Sequence, residues 1–178
     1  VNDSVRIDTG LQLMAPFILS VRPLPDSQLD SDTLARRGVS AIAAPLQEPQ
    51  LIAPTLPDDP SRYAGLIFTS RHAVDGFLAA LGNGGPGGWA ALPVFAVGRA
   101  TARVARAAGF SVKVTGHGGG SGLATLIREH VDAGGLPLLW PAARDRGFDM
   151  VAALAPAITV EDIAVYAMAR TPRLTDAA

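Results

Sequence analysis

The sequence contains no cysteine and a single lysine, Lys113. The first absence excludes disulfides, thiol catalysis and thiolate metal sites, and is compatible with a cytosolic protein. The second excludes a GxxxxGK[ST] phosphate loop, because Lys113 precedes the glycine run at 116–122 that would have to end in it. Charge is scarce too: charged residues make up 17 % of the chain and the net charge is -1. There is therefore no basic field to draw in DNA, RNA or an anionic membrane, although local donors can still hold an anionic small molecule. No segment reaches the run of about 18 apolar residues that a membrane-crossing helix needs. The opening thirteen residues, VNDSVRIDTGLQL, lack the basic start and apolar stretch of a secretory signal. They are expected to be a loose, disordered leader, with Met14 the more natural beginning of the fold and the cytoplasm the expected location.

What is present is apolar: 48 % of 178 residues, enough for one good core, or for one domain and part of a second. Strand and helix patterns alternate. FILSV (17–21) is an apolar run, a weak helix follows around 28–37 and closes at Gly38, and VSAIAAPL (39–46) is the next strand. Residues 47–62, QEPQLIAPTLPDDPSR, are proline-rich with a short extended piece and read as a linker. A more regular block follows. AGLIFT (64–69), PVFAVG (93–98), SVKVT (111–115), LPLLWP (136–141) and ITVEDIAVYAM (158–168) are strands. Between them Val74, Phe77, Leu78 and Leu81 fall on one helix face, as do Leu123, Leu126, Ile127 and Val131. A shorter helix is expected over 147–155, and GNGGPGG (82–88) and GHGGGSG (116–122) read as loops.

Strands apolar on both faces and separated by helices indicate an α/β fold with parallel sheets covered by helices. Ligands then bind beyond the carboxyl ends of the strands. The segments to examine are Thr69–His72, Gly98–Thr101, Gly116–Gly122, Ala142–Arg146 and the end of the last strand near Tyr166. No strand runs into GxGxxG. The string His117, Gly118, Gly119, Gly120 matches the HGGG of some esterases, but no GxSxG nucleophile turn accompanies it. His72, His117 and His130 lie far apart and form no HExxH, so no metal is expected.

Five of these segments resemble one family in order and spacing. GLIFTSRHAVDGFLAAL, VFAVGRATARVARAAGFSV, SGLATLI, LPLLWPAARDRGFDMVAALA and ITVEDIAVYAMARTP are similar to the [FY]TS, VG..TA and V.VY pattern of uroporphyrinogen-III synthase, over about Pro16 to Pro172. The resemblance implies two α/β domains, the second inserted into the first, with the active site in the cleft between them. On that pattern 14–46 is the opening part of domain one, 47–62 a linker, 63–168 domain two and 169–178 a second linker or tail. The returning portion of domain one is missing, so the first domain is incomplete and the chain is expected to be a fragment or a short form.

The resemblance also implies a hydro-lyase that needs no cofactor, with hydroxymethylbilane as its small-molecule partner, no nucleic acid or membrane partner, and a monomeric state when complete. This open-chain tetrapyrrole carries eight carboxylates. It loses its hydroxyl as water, closes through a spiro intermediate on a substituted carbon of the last ring, and inverts that ring. Holding a flexible chain in one fold is an orientation task. Thr69, Ser70 and Arg71 align with the family's substrate-facing TS segment, and Gly98 and Thr101 with VG..T. Ser121 and Arg144 fall in the other strand-end segments and are further candidates for substrate binding. The hydroxyls of Ser70 and Thr101 also suit helix capping, a role compatible with carboxylate binding. Arg71, Arg99 and Arg144 add possible charge-assisted contacts, against the ordinary reading of solvated arginines. Tyr166, the tyrosine of V.VY, is the catalytic candidate: a phenol stays protonated at neutral pH and can donate to a leaving oxygen. The plain alternative is a half-buried strand tyrosine with its hydroxyl at the rim. A non-catalytic α/β module that binds a carboxylated or phosphorylated small molecule is the competing reading of the same strand ends, and pairing of the incomplete first domain with another copy is a third.

Overall fold

The computed structural model describes residues 16–82 and 85–171. The expected leader and Met14 lie outside these residues, as do 172–178 of the expected tail. The chain divides into two compact units, one made of the residues up to Glu48 and from Arg170 onward, the other of Pro49–Ala169.

The first unit is a single βαβ turn. Strand β1 (Ile18–Ser20) leads through helix α1 (Asp26–Ala35) to β2 (Ala41–Ala43), which pairs with β1 in parallel, Leu19 opposite Ile42. The helix begins two residues earlier than expected, and the strand after it is confined to the middle of 39–46. The helix sequence DSQLDSDTLA has no apolar stripe, and polar side chains fasten it instead. Ser20 Oγ donates to Asp30 Oδ2 at 2.8 Å, Arg22 bridges Asp30 and Asp26, and Ser31 Oγ donates to the Ala41 carbonyl at 2.7 Å. The Ser20 hydroxyl, aided by Arg22, holds the Asp30 carboxyl below its usual range. Ile18, Leu19 and Val21 remain exposed.

Part of the expected linker is a strand. β3 (Gln47–Leu51) lies at the edge of a six-stranded sheet ordered β3-β8-β7-β4-β5-β6, where Pro49 breaks no interior ladder. The other five strands are β4 (Gly65–Phe68), β5 (Pro93–Ala96), β6 (Ser111–Thr115), β7 (Leu138–Ala143) and β8 (Val160–Arg170), and β6, β5, β4, β7 and β8 run parallel as neighbours. Their alternating side chains feed two cores. Leu66 and Phe68 point to one face, with Val74, Phe77 and Phe110, while Ile67 points to the other, with Leu123, Trp140 and Leu154. Helices α2 (Arg71–Leu81) and α3 (Arg99–Ala107) cover the first face, and α4 (Gly119–His130) and α5 (Met150–Leu154) the second. A buried Tyr63 ties the start of this block to β8. Its hydroxyl donates to Glu161 Oε2 at 2.6 Å, and burial, reinforced by that carboxylate, pushes the phenol up to about 12.

The glycine-rich segments differ from expectation. Residues 116–122 are a loop only as far as Gly118. Gly118 and Gly119 adopt φ of 77° and 74°, which glycine alone takes without penalty, and α4 starts at Gly119 because Leu123, Ala124 and Ile127 bury its inner face. Gly87 and Gly88 likewise belong to a 3-10 turn over Gly87–Ala91. α5 is shorter than expected: Asp149 Oδ1 accepts from the Ala152 N–H at 3.0 Å and caps it, leaving Gly147 and Phe148 in the preceding loop. β7 runs on to Ala143 and β8 to Arg170.

Candidate functional site

From β4 the chain steps outward one way through β5 to β6, then returns past β4 to build β7 and β8 on its other side. The order therefore reverses between β4 and β7, and the carboxyl ends of these two strands diverge into a crevice. A hollow of about 420 Å³ lies there.

Its floor is made where the apolar run of β4 ends. Thr69 Oγ1 accepts from Trp140 Nε1 at 3.1 Å, so the first polar residue after β4 satisfies the indole of a tryptophan on β7 that is otherwise fully enclosed. Ser70 is the N-cap of α2, its Oγ accepting from the His72 N–H at 3.1 Å. Both residues line the hollow, as does Tyr166 of β8.

A bulge places Tyr166. Ala142 pairs with Ala164 but Ala143 pairs with Tyr166, so β8 carries one extra residue, Val165. Neighbouring residues of a regular strand point to opposite faces; here Val165 and Tyr166 both join the core under α2. The Tyr166 carbonyl accepts from the Arg144 N–H at 2.8 Å, and its ring lies 5.8 Å from that of His72. Tyr166 is only 7 % exposed and lines the hollow. Gly76 of α2 makes this packing possible, since a Cβ there would stand 2.6 Å from the Val165 carbonyl oxygen.

The other sequence candidates are spread around this centre. Gly98 is the N-cap of α3 and supplies no side-chain bond. Thr101 lies inside the first turn of α3 with its side chain buried, so it does not occupy the capping position its sequence suggested, and it does not line the hollow. Ser121 is exposed in the first turn of α4, its Oγ donating to the Gly118 carbonyl at 3.5 Å, while the adjacent Gly119 and Gly120 reach the hollow. Arg71 opens α2 without lining the hollow. Arg144 points to solvent and pairs with Asp145 at 3.4 Å. Three wall residues carried no individual signal in the sequence: Trp140, Phe148 and Arg146, whose guanidinium lies 4.7 Å from the Trp140 ring centroid. The hints were that Arg146 closes the segment 142–146 and that the chain has just two tryptophans, one of them in a strand entering the site. Among the described residues no three His, Asp or Glu side chains gather as a metal site, and no helix is long and apolar enough to cross a membrane.

Known proteins with this architecture were found by structure and by family pattern. A uroporphyrinogen-III synthetase from Helicobacter pylori superposes with a TM-score of 0.59 at 20 % identity, covering 92 % of this chain and 66 % of its own. A mutant uroporphyrinogen III synthase from the extremely thermophilic bacterium Thermus thermophilus gives 0.60 at 18 % identity, with 89 % and 64 % covered. The chain thus spans slightly less than two thirds of the length of these structures, and at such identities the likeness is one of fold. No curated protein matches the sequence. The family described as uroporphyrinogen-III synthase HemD matches residues 30–178, which include every strand end that forms the hollow, and the chain belongs to that family.

Proposed function

We propose that the switch-point hollow takes hydroxymethylbilane and contributes to its cyclisation to uroporphyrinogen III, with loss of water and inversion of the last ring, in tetrapyrrole biosynthesis. The observation that carries this reading is Tyr166: a tyrosine packed almost out of solvent, placed by a bulge, in the wall of the hollow. Such a group is pre-positioned. Its hydroxyl donates to the departing oxygen, which leaves as water, while Thr69 and Ser70 supply short polar contacts to the carboxylate arms on the opposite side. The same hydroxyls are already committed to Trp140 and to the start of α2, so the wall they form is rigid before any ligand arrives. The acid–base demand is small, and the main contribution is orientation of a chain that otherwise closes without inversion. Family membership supports the reaction, and the hydroxyls of Thr69 and Ser70 with the guanidinium of Arg146 in the wall support a carboxylated ligand. The protein is proposed to work in the cytoplasm, without a cofactor, and as a monomer.

The experiment supplies hydroxymethylbilane to the purified protein and resolves the two product isomers. The inverted isomer is expected. Loss of one hydrogen bond to a charge-developing oxygen is worth about 1.5–3 kcal/mol, so Tyr166→Phe should slow its formation roughly 10- to 100-fold with the fold intact. Unchanged turnover would remove Tyr166 from the reaction, and exclusive formation of the non-inverted isomer by the wild type would refute the activity.

A further inference from the structure

A second hollow, of about 490 Å³, opens beside the first along the segment from β7 to α5, bounded by Gly147, Phe148, Asp149, Val151 and Asp162. Arg146 belongs to the walls of both. Its side chain is 31 % exposed and held from two sides: the guanidinium carbon lies over the Trp140 ring, and Nη2 donates to Asp162 Oδ2. Asp162 Oδ2 engages one of the five N–H donors along the guanidinium edge, and that edge can take further acceptors. Arg144, two residues earlier, is 65 % exposed, sits beside Asp145 and reaches neither hollow. The acidic neighbours of both hollows have partners: Asp145 of the inner one sits next to Arg144, and of the outer one Asp162 lies against Arg146 while Asp149 accepts from the Ala152 N–H.

We propose that Arg146 is the specificity-determining cation of this site. A polycarboxylate ligand in the inner hollow sets one carboxylate on the guanidinium edge, and its adjoining part continues past Arg146 into the outer hollow. The inference rests on the functional reading above and adds to it the residue that recognises the carboxylates. A planar fork already held over an indole forfeits little freedom on binding, which suits it better than the exposed Arg144 to fix the register of a flexible ligand.

The test uses the full chain and uroporphyrin I, a stable octacarboxylate, followed by the anisotropy of the porphyrin fluorescence. Wild type is expected to bind, Arg146→Gln to bind at least about 10-fold more weakly, and Arg146→Lys to fall between them. The dependence of log Kd on log salt should be shallower for Arg146→Gln than for wild type, which a purely structural role would not produce; thermal melts check that the variant is folded. If wild type binds and Arg146→Gln binds equally well with the same salt dependence, the role of Arg146 is refuted while the functional reading stands. If wild type does not bind uroporphyrin at all, the polycarboxylate reading of the hollow fails and this inference fails with it.

Discussion

Replacing Gly76 with alanine tests the packing that holds Tyr166. The added Cβ would lie 2.6 Å from the Val165 carbonyl oxygen and 3.1 Å from the Val165 carbonyl carbon. The obstacle is main chain at a bulge in a paired strand, with no flexible side-chain tip to swing aside. Restoring an ordinary contact of 3.4 Å requires α2 to lift from β8 by about 0.8 Å, and Ala73, Val74 and Phe77 on the same helix face are fully buried. Overpacking of this kind costs about 1–3 kcal/mol, and a backbone-on-backbone clash belongs near the upper end. Alanine returns about 1 kcal/mol of helix propensity. The net expectation is a loss of about 2 kcal/mol, which for a chain of this size lowers the melting temperature by roughly 4–8 °C. Trp89 and Trp140 both belong to the Pro49–Ala169 unit, so tryptophan emission during urea titration follows the affected unit. Ala79→Gly, at an exposed position of the same helix, calibrates the propensity effect at about 1 kcal/mol. If Gly76→Ala proves as stable as wild type or more so, propensity outweighs the close approach and the account of how α2 seats on the bulge is wrong.

The bond across the switch point should be visible in a pair of variants. Thr69→Val removes the acceptor for Trp140 Nε1 and is expected to cost about 1–3 kcal/mol, while Thr69→Ser retains it and costs much less; equal losses in urea titration would show that the hydroxyl is not what matters. Tyr63 predicts an alkaline limb. Its folded value of about 12 exceeds the ordinary 10, so the native state holds the proton more tightly, and the resulting stability is complete below pH 10 and lost as pH rises through 12. The amount is about 2–3 kcal/mol, and Tyr63→Phe should flatten that limb in melts across pH 9–12. An unchanged limb would assign it to other groups.

The parallel sheet was legible because GLIF, PVFA and LLWPAA are apolar on both faces, a pattern that a one-sided sheet does not produce. Helix α2 was legible for a similar reason, its apolar residues recurring with the helical period. The start of α4 was not, since GGSG has the composition of a loop and becomes helical only because the Leu123–Ile127 face has a sheet to cover. Helix α1 was read only weakly, as fits an element fastened by polar side chains at specific distances. At the site, Thr69 and Ser70 stood out because polar residues follow directly on a buried strand. Thr101 misled because its spacing from Gly98 suits a first turn but does not say which way the hydroxyl faces. Trp140 was not singled out and Arg146, inside the segment 142–146, was given no role, because their roles depend on partners distant in the chain: Trp140 meets Thr69 across 71 residues and Arg146 meets Asp162 across 16.

The reversal of strand order also has a kinetic side. Gly65 pairs with Leu138, 73 residues further along, so the middle of the sheet is closed by a contact of high contact order, while β4, β5 and β6 can assemble from neighbours in sequence. During synthesis the flank of β4 that awaits β7 stays open until the chain has been made past Ala143. That flank belongs to GLIF, four residues that are all buried once the sheet is complete. The closing of β7 onto β4 is therefore the expected slow step of folding, and the interval before it is when nascent chains of this protein are most exposed to pairing with one another.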